Sequence, residues 1–291
     1  MKTILICTDG SPFAETSYRY GAYVANRLKA QGAAVDVLCV TDINSQQVVS
    51  KGNFCRSIGI DASENLLNCL VELEHEKAKF THHQAKLILQ TALRTLKAEG
   101  INRINPIYKT GFLLDCLDEF EQDFDLIVLG KRGENASFAS GNLGANLEKI
   151  VRNSRKPCLV TPLKYQPIER LLLAYDGSKN GQKMLEFIKA SPLFQGLELH
   201  LVTVAKSLLD RPIMKHRLNQ AAKLLQEAEF APVAHLLEGE PEKAIANYIR
   251  EKNISLLIMG AYGHNRIRHL VIGSTTDQIL KTSNIPVFLF R

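Results

Sequence analysis

The sequence predicts an α/β protein assembled from two copies of one unit, each a parallel sheet covered by helices. Short aliphatic, β-rich runs alternate with longer amphipathic patterns, as strand–helix–strand units require. The first half also returns in the second. Ile4 to Ser11 reappears as Leu171 to Ser178, Asp125 to Gly133 as Ser255 to Gly263, and Asn153 to Val160 as Thr282 to Leu289, in the same order. Near the C-terminus a hydrophobic run, Ser255 to Met259, leads into a glycine loop and then a helical pattern. Strand, glycine loop and helix is the order in which α/β proteins build phosphate sites.

In the first copy, strands are expected near 3–8, 34–41, 104–109, 125–130 and 157–161. In the second they are expected near 169–175, 198–204, 233–237, 255–260 and 286–290, with helices near 179–190, 214–229, 241–252 and 274–283. The matched residues are offset by 167 at the Asp-Gly-Ser turns and by 130 at the first loop glycines, so the first copy carries 37 extra residues. They fall mostly in about 43–80, where a polar, glycine-containing loop precedes a charged helix pattern. A lid or an interface would use such a segment. Thr161 to Pro167 holds two prolines, which suit a short stiff linker between domains spanning 1–163 and 168–291.

Composition narrows the class. With 291 residues and 45% apolar content the chain can supply a core for each of two domains. The apolar start stops at Asp9-Gly10 with no small-residue cleavage site after it, and no stretch reaches the ~18 apolar residues of a membrane span. The expected location is the cytoplasm, with no membrane partner. The six cysteines include no Cys-x-x-Cys pair, and several sit in apolar runs, so they read as buried free thiols. The charge of +6 is spread along the chain, without the clustered basic face that nucleic acid requires.

The chemistry concentrates in the second copy. Gly260, Gly263, Gly273 and Ser274 form a Gly-x2-Gly-x9-Gly-Ser spacing, and Thr275 and Thr276 add hydroxyls and backbone N–H groups where a helix begins. Asp176 ends the first strand of that copy, where an open parallel sheet binds ligands. It could accept hydrogen bonds from a base or ribose while the loop holds phosphates; alternatively, Asp-Gly-Ser only turns the chain and caps a helix.

With these motifs, the halves resemble tandem universal stress protein domains, a likeness that spans nearly the whole chain outside 43–80. The resemblance implies two flavodoxin-like domains, adenine nucleotide alpha hydrolase-like, each a five-stranded parallel sheet of order 3-2-1-4-5 with helices on both faces. It also implies a stress-response regulator that binds ATP or AMP, with or without Mg, and acts through binding and not fast catalysis. Carried over by position, Asp176 would contact adenine or ribose with Tyr175 and Val204 beside the nucleoside. Gly260, Gly263, Gly273, Ser274, Thr275 and Thr276 would hold phosphates and ribose. Final strands pair between domains in that family, so Pro157 to Thr161 and Pro286 to Phe290 would pair within this chain; whether two chains then form a homodimer is left open.

The first copy departs from the pattern. Asp9, Gly130 and Gly133 are present, but Gly144 comes one residue late and Ala145 follows it. The extra residue is expected to shift the helix start relative to the glycine turn, leaving a degraded site. Arg266, Arg268 and His269 lie inside the second loop, where they would attract phosphate or form a solvated basic loop. His75, His82 and His83 with Glu72 and Glu76 suit a solvated charged helix better than a metal site: Glu72 and His75 share a face at i, i+3, but His75 and His82 are seven apart and no flanking cysteine joins them. No P-loop, Gly-x-Ser-x-Gly or Gly-x-Gly-x-x-Gly motif occurs where its chemistry would need it. A slow ATPase in the same pocket and a non-binding scaffold are the competing readings, and no residue presents itself as the hydrolytic base.

Overall fold

The computed structural model describes residues 3–41, 60–133, 143–261 and 273–291. In the first half the strands are β1 (Thr3–Thr8), β2 (Ala34–Thr41), β3 (Ile104–Thr110), β4 (Leu126–Gly130) and β5 (Cys158–Thr161), and the helices are α1 (Pro12–Arg27), α2 (Ile60–Ala98), α3 (Leu113–Phe120) and α4 (Ala145–Asn153). In the second half, β6 (Arg170–Ala174), β7 (Glu198–Ala205), β8 (Val233–Glu238), β9 (Leu256–Gly260) and β10 (Val287–Phe290) alternate with α5 (Lys179–Ala190), α6 (Arg211–Gln226), α7 (Pro241–Glu251) and α8 (Ser274–Thr282).

Strand order is β3-β2-β1-β4-β5-β10-β9-β6-β7-β8, so each half has the order 3-2-1-4-5 and the halves share one ten-stranded sheet. Every neighbouring pair is parallel except β5 and β10, which run antiparallel with Val160 opposite Val287 and Leu159 opposite Phe288. That seam leaves no free edge on either final strand, an arrangement that blunts unwanted strand addition. Central strands are apolar at nearly every position because helices cover both faces. One core lies under α1, α2, α5 and α6 and the other under α3, α4, α7 and α8, and both contain residues of both halves.

The linker is docked. Thr16 donates to the Pro162 carbonyl at 2.6 Å, Gln166 N–H donates to the Tyr20 hydroxyl at 3.0 Å, and the Arg19 guanidinium lies 3.9 Å from the Tyr165 ring centre.

The charged helix pattern expected in the insertion is the first part of α2, which runs 39 residues where its counterpart α6 runs 16. No Pro or Gly interrupts 60–98, so nothing in the sequence stops the helix there. One expectation needs correction: the cysteines are not uniformly buried. Cys7, Cys39, Cys116 and Cys158 are, Cys69 is exposed on α2, and Cys55 lies outside the described residues. Burial pushes the thiols of Cys7 and Cys158 up to about 12, which keeps them protonated and unreactive.

Candidate functional site

The two Asp-Gly-Ser turns are built alike. Asp9 Oδ1 accepts from Ser11 N–H and Asp176 Oδ1 from Ser178 N–H, each at 2.9 Å. The serines then cap α1 and α5, accepting from Ala14 N–H at 3.4 Å and Gly181 N–H at 3.1 Å. Gly10 and Gly177 carry φ of 77° and 74°, the left-handed region that lets the chain turn back between Asp and Ser. The turn-and-cap reading of Asp176 is therefore correct as far as it goes; the neighbourhood decides whether it is the whole role.

That neighbourhood is the topological switch point of the second half. β6 lies between β7 and β9, with Leu173 opposite Ile258, so Asp176 and Gly260 emerge at adjacent strand ends. Gly273 N–H donates to the Ala261 carbonyl at 3.4 Å, which brings the start of α8 to the same place. The equivalent meeting in the first half is direct: a Cβ on Gly133 would stand 2.6 Å from Asp9 Oδ2. Gly263, Tyr262, Arg266, Arg268 and His269 lie outside the described residues.

The remaining site residues divide. Ser274 is exposed at the first turn of α8, and Thr275 Oγ1 donates to Glu242 Oε2 at 3.3 Å. Thr276 is buried and donates to the Gly260 carbonyl at 3.1 Å, so its hydroxyl ties helix to strand and only its backbone N–H faces the helix mouth. Tyr175 is buried among the residues beneath α5 and α6, whereas Val204 packs with the opposite core, beneath α7 and α8. The structure does not bring those two side chains onto one surface, because they project from opposite faces of the sheet.

The expected displacement of the first-half helix does not occur. Gly144 N–H donates to the Lys131 carbonyl at 3.3 Å, the same base contact as Gly273 to Ala261, and α4 and α8 are both nine residues long. Packing of the helix on the sheet fixes its start, and the extra residue falls between 133 and 144. What distinguishes the halves is chemistry: Ala145 stands where Ser274 stands.

Two further differences were missed in the sequence. Arg217 of α6 lies across the Asp176 turn, its Nη1 donating to the Asp176 carbonyl at 3.0 Å and its stem filling the space a Cβ on Gly177 would need. In the first half Ile88 of α2 fills the same space at Gly10. An aligned comparison of α2 with α6 would have raised the pair, but the 37-residue offset hides it. The second difference is Lys131, beside the first glycine turn. Its ammonium donates to the carbonyls of Lys281 at 2.7 Å and Ser283 at 3.0 Å, at the end of α8. A cation suits a helix C-terminus, and this one is committed to the seam between halves.

Burial, and then the neighbouring Arg132, lower Lys131 from the usual 10.5 to about 8. Between those two values the unfolded chain binds more protons at this group than the folded chain, so its contribution to stability rises with pH from about 8 to about 10.5 and is flat below. Lys131→Met should remove that rise. Urea midpoints of both proteins across this range test it, and parallel pH profiles would refute it.

The model of the universal stress protein family matches residues 1–162 and again 167–291. The chain belongs to the universal stress protein family. A curated relative, universal stress protein Slr1230 of Synechocystis, is 52% identical over 291 residues, covering all of both chains. A universal stress protein of Thermus aquaticus is 29% identical over 133 residues, 42% of this chain and 97% of its own length. Among solved structures, a universal stress protein from Archaeoglobus fulgidus superposes with TM-score 0.68 at 22% identity, covering 99% of this chain and 96% of its own. A putative universal stress protein from Pseudomonas aeruginosa follows with TM-score 0.63 at 16% identity, covering 100% and 93%. These structures share the fold, and the sequence relatives share the family. This universal stress protein is thus a tandem member, with both family units in one chain and paired across β5 and β10. Among its described residues no helix is long and apolar enough to cross a membrane.

Proposed function

We propose that the second half, 168–291, binds an adenine nucleotide, ATP or AMP, and that the protein acts in the cytoplasm as a regulator through occupancy of this one site. The observation that carries the reading is the convergence of Asp176, Arg217, Gly260 and the Gly273-Ser274 helix start at adjacent strand ends. The carboxylate suits the hydroxyls of a ribose or the edge of a base. The first-turn N–H groups of α8 and the Arg217 guanidinium suit phosphate oxygens. The first half, 1–163, keeps the turn but has Ile88 for Arg217 and Ala145 for Ser274, and its Lys131 is engaged at the seam, which supports a vacated, structural role.

The test begins with the protein as purified. Denaturing it and identifying the released small molecules should give AMP or ATP at about one per chain, and titration calorimetry of the emptied, refolded chain should restore one site. Release of none, together with no heat on adding either nucleotide at ~1 mM, a concentration that detects binding of about −4 kcal/mol, would leave a scaffold.

A further inference from the structure

Among the described residues, none packs over the N-terminal half of α2 as the sheet packs under its C-terminal half. Ala85, Leu89, Ala92 and Leu96 bury its C-terminal half on the sheet, and His82 meets the Tyr108 ring of β3 at 5.0 Å between centres. Before that point no described residue from 68 to 80 is buried. The 22 residues from Ile60 to Thr81 extend roughly 33 Å from the last sheet contact. Most helix stability in proteins comes from packing an apolar face, so such a face on this stretch would be stabilised by a cover.

Such a face is present. Leu73, Phe80 and Leu87 are spaced seven apart and are 61%, 64% and 49% exposed, with Leu70 partly covered beside them. Seven-residue spacing aligns side chains into a seam that fits another helix. The charges say which helix. From 68 to 76 every Asp, Glu, Lys or Arg is acidic (Glu72, Glu74, Glu76), and from 77 to 98 every one is basic (Lys77, Lys79, Lys86, Arg94, Lys97). The macrodipole does not explain this segregation, because it acts over the terminal turns and Glu72 lies twelve residues inside the helix.

We infer that this segment pairs antiparallel with the same segment of a second copy of the chain. An antiparallel pair centred between Glu76 and Lys77 sets Leu73 level with Phe80 of the second copy, and Phe80 level with its Leu73. The same register brings Glu72 and Glu74 near Lys79 of the second copy, twice by symmetry, and lays each acidic segment along a basic one. A parallel pair would oppose like charges throughout. The Lys79–Glu76 pair within the helix, 3.2 Å long and exposed, contributes little and can exchange for the intermolecular one. A two-fold axis through the helix pair makes the contact closed and self-complementary. The inference does not depend on the nucleotide reading.

Sedimentation velocity of the full chain tests it. The wild-type protein should sediment as a dimer that weakens with salt. Leu73→Asp with Phe80→Asp should sediment as a folded monomer with a cooperative melt, since both side chains are exposed. Glu72→Lys, Glu74→Lys and Glu76→Lys together should weaken the dimer at least about tenfold, and adding Lys77→Glu and Lys79→Glu should restore it. Mild oxidation gives a readout of direction. Two Cys69 residues would stand roughly 20 Å apart in the antiparallel pair, too far for a disulfide. A wild-type monomer at ~100 µM, where even a weak dimer of about −6 kcal/mol would populate, overturns the inference. So does a dimer that survives the Leu73→Asp/Phe80→Asp change, or a Cys69–Cys69 cross-link within the dimer.

Discussion

Asp176→Ala is expected to lower the affinity of the chain for AMP or ATP by about ten- to hundredfold, the ~1.5–3 kcal/mol of a hydrogen bond to a charged group, while Asp9→Ala leaves it within about twofold. The pair separates two roles that one residue combines. Each aspartate accepts the same serine N–H at 2.9 Å, so each alanine loosens the same turn and lowers stability alike. Only Asp176 stands beside Arg217 and the Ser274 helix start. A binding loss confined to Asp176→Ala, read by calorimetry with melting curves as the control, assigns the carboxylate to the ligand. Equal affinities in the two variants would remove the site from the second half.

Phe288→Ala should destabilise the whole protein by about 3–5 kcal/mol, as expected for deleting a large buried ring. Phe288 is 1% exposed and lies at the seam opposite Leu159, with the rings of Phe187, Phe194 and Phe290 centred 5.7, 6.1 and 5.3 Å away. The core beneath α1, α2, α5 and α6 that it fills contains residues of both halves, so its loss is felt across the seam. Urea unfolding should show a lowered midpoint at unchanged slope, followed identically by probes in either half. Leu209→Ala, at a side chain 88% exposed, should fall within about 0.5 kcal/mol of wild type. A Phe288→Ala protein in which one half unfolds and the other does not would show that the shared sheet joins independent units.

Much of this was readable from the chain. The helices expected at 179–190, 241–252 and 274–283 lie at 179–190, 241–251 and 274–282, because Ser178, Pro241 and Gly273 mark their starts. The meeting of Asp176 with Gly260 and Gly273 was readable as two motifs at the ends of the first and fourth strands. Arg217 was not, since a single arginine on a helix gives no signal until the turn it covers is in place. The full length of α2 was only partly readable: the insertion carried a charged helix pattern, but its continuity with the helix that packs on the sheet is set by the fold. The start of α4 was misjudged because loop length was taken to set a position that helix packing on the sheet in fact holds.

By itself, then, the sequence determined the repeat, the strand and helix periods, the caps and the glycine spacing. All of these follow from sterics and hydrophobic pattern among residues near one another in the chain. The tertiary structure decided that Arg217 and Ile88 lie over the two equivalent turns, and that Lys131 donates to the end of α8 at the seam. It also decided that β5 and β10 join antiparallel. That pairing runs through backbone N–H and C=O groups, which every residue but proline offers alike, so no side-chain pattern along the chain could have specified it.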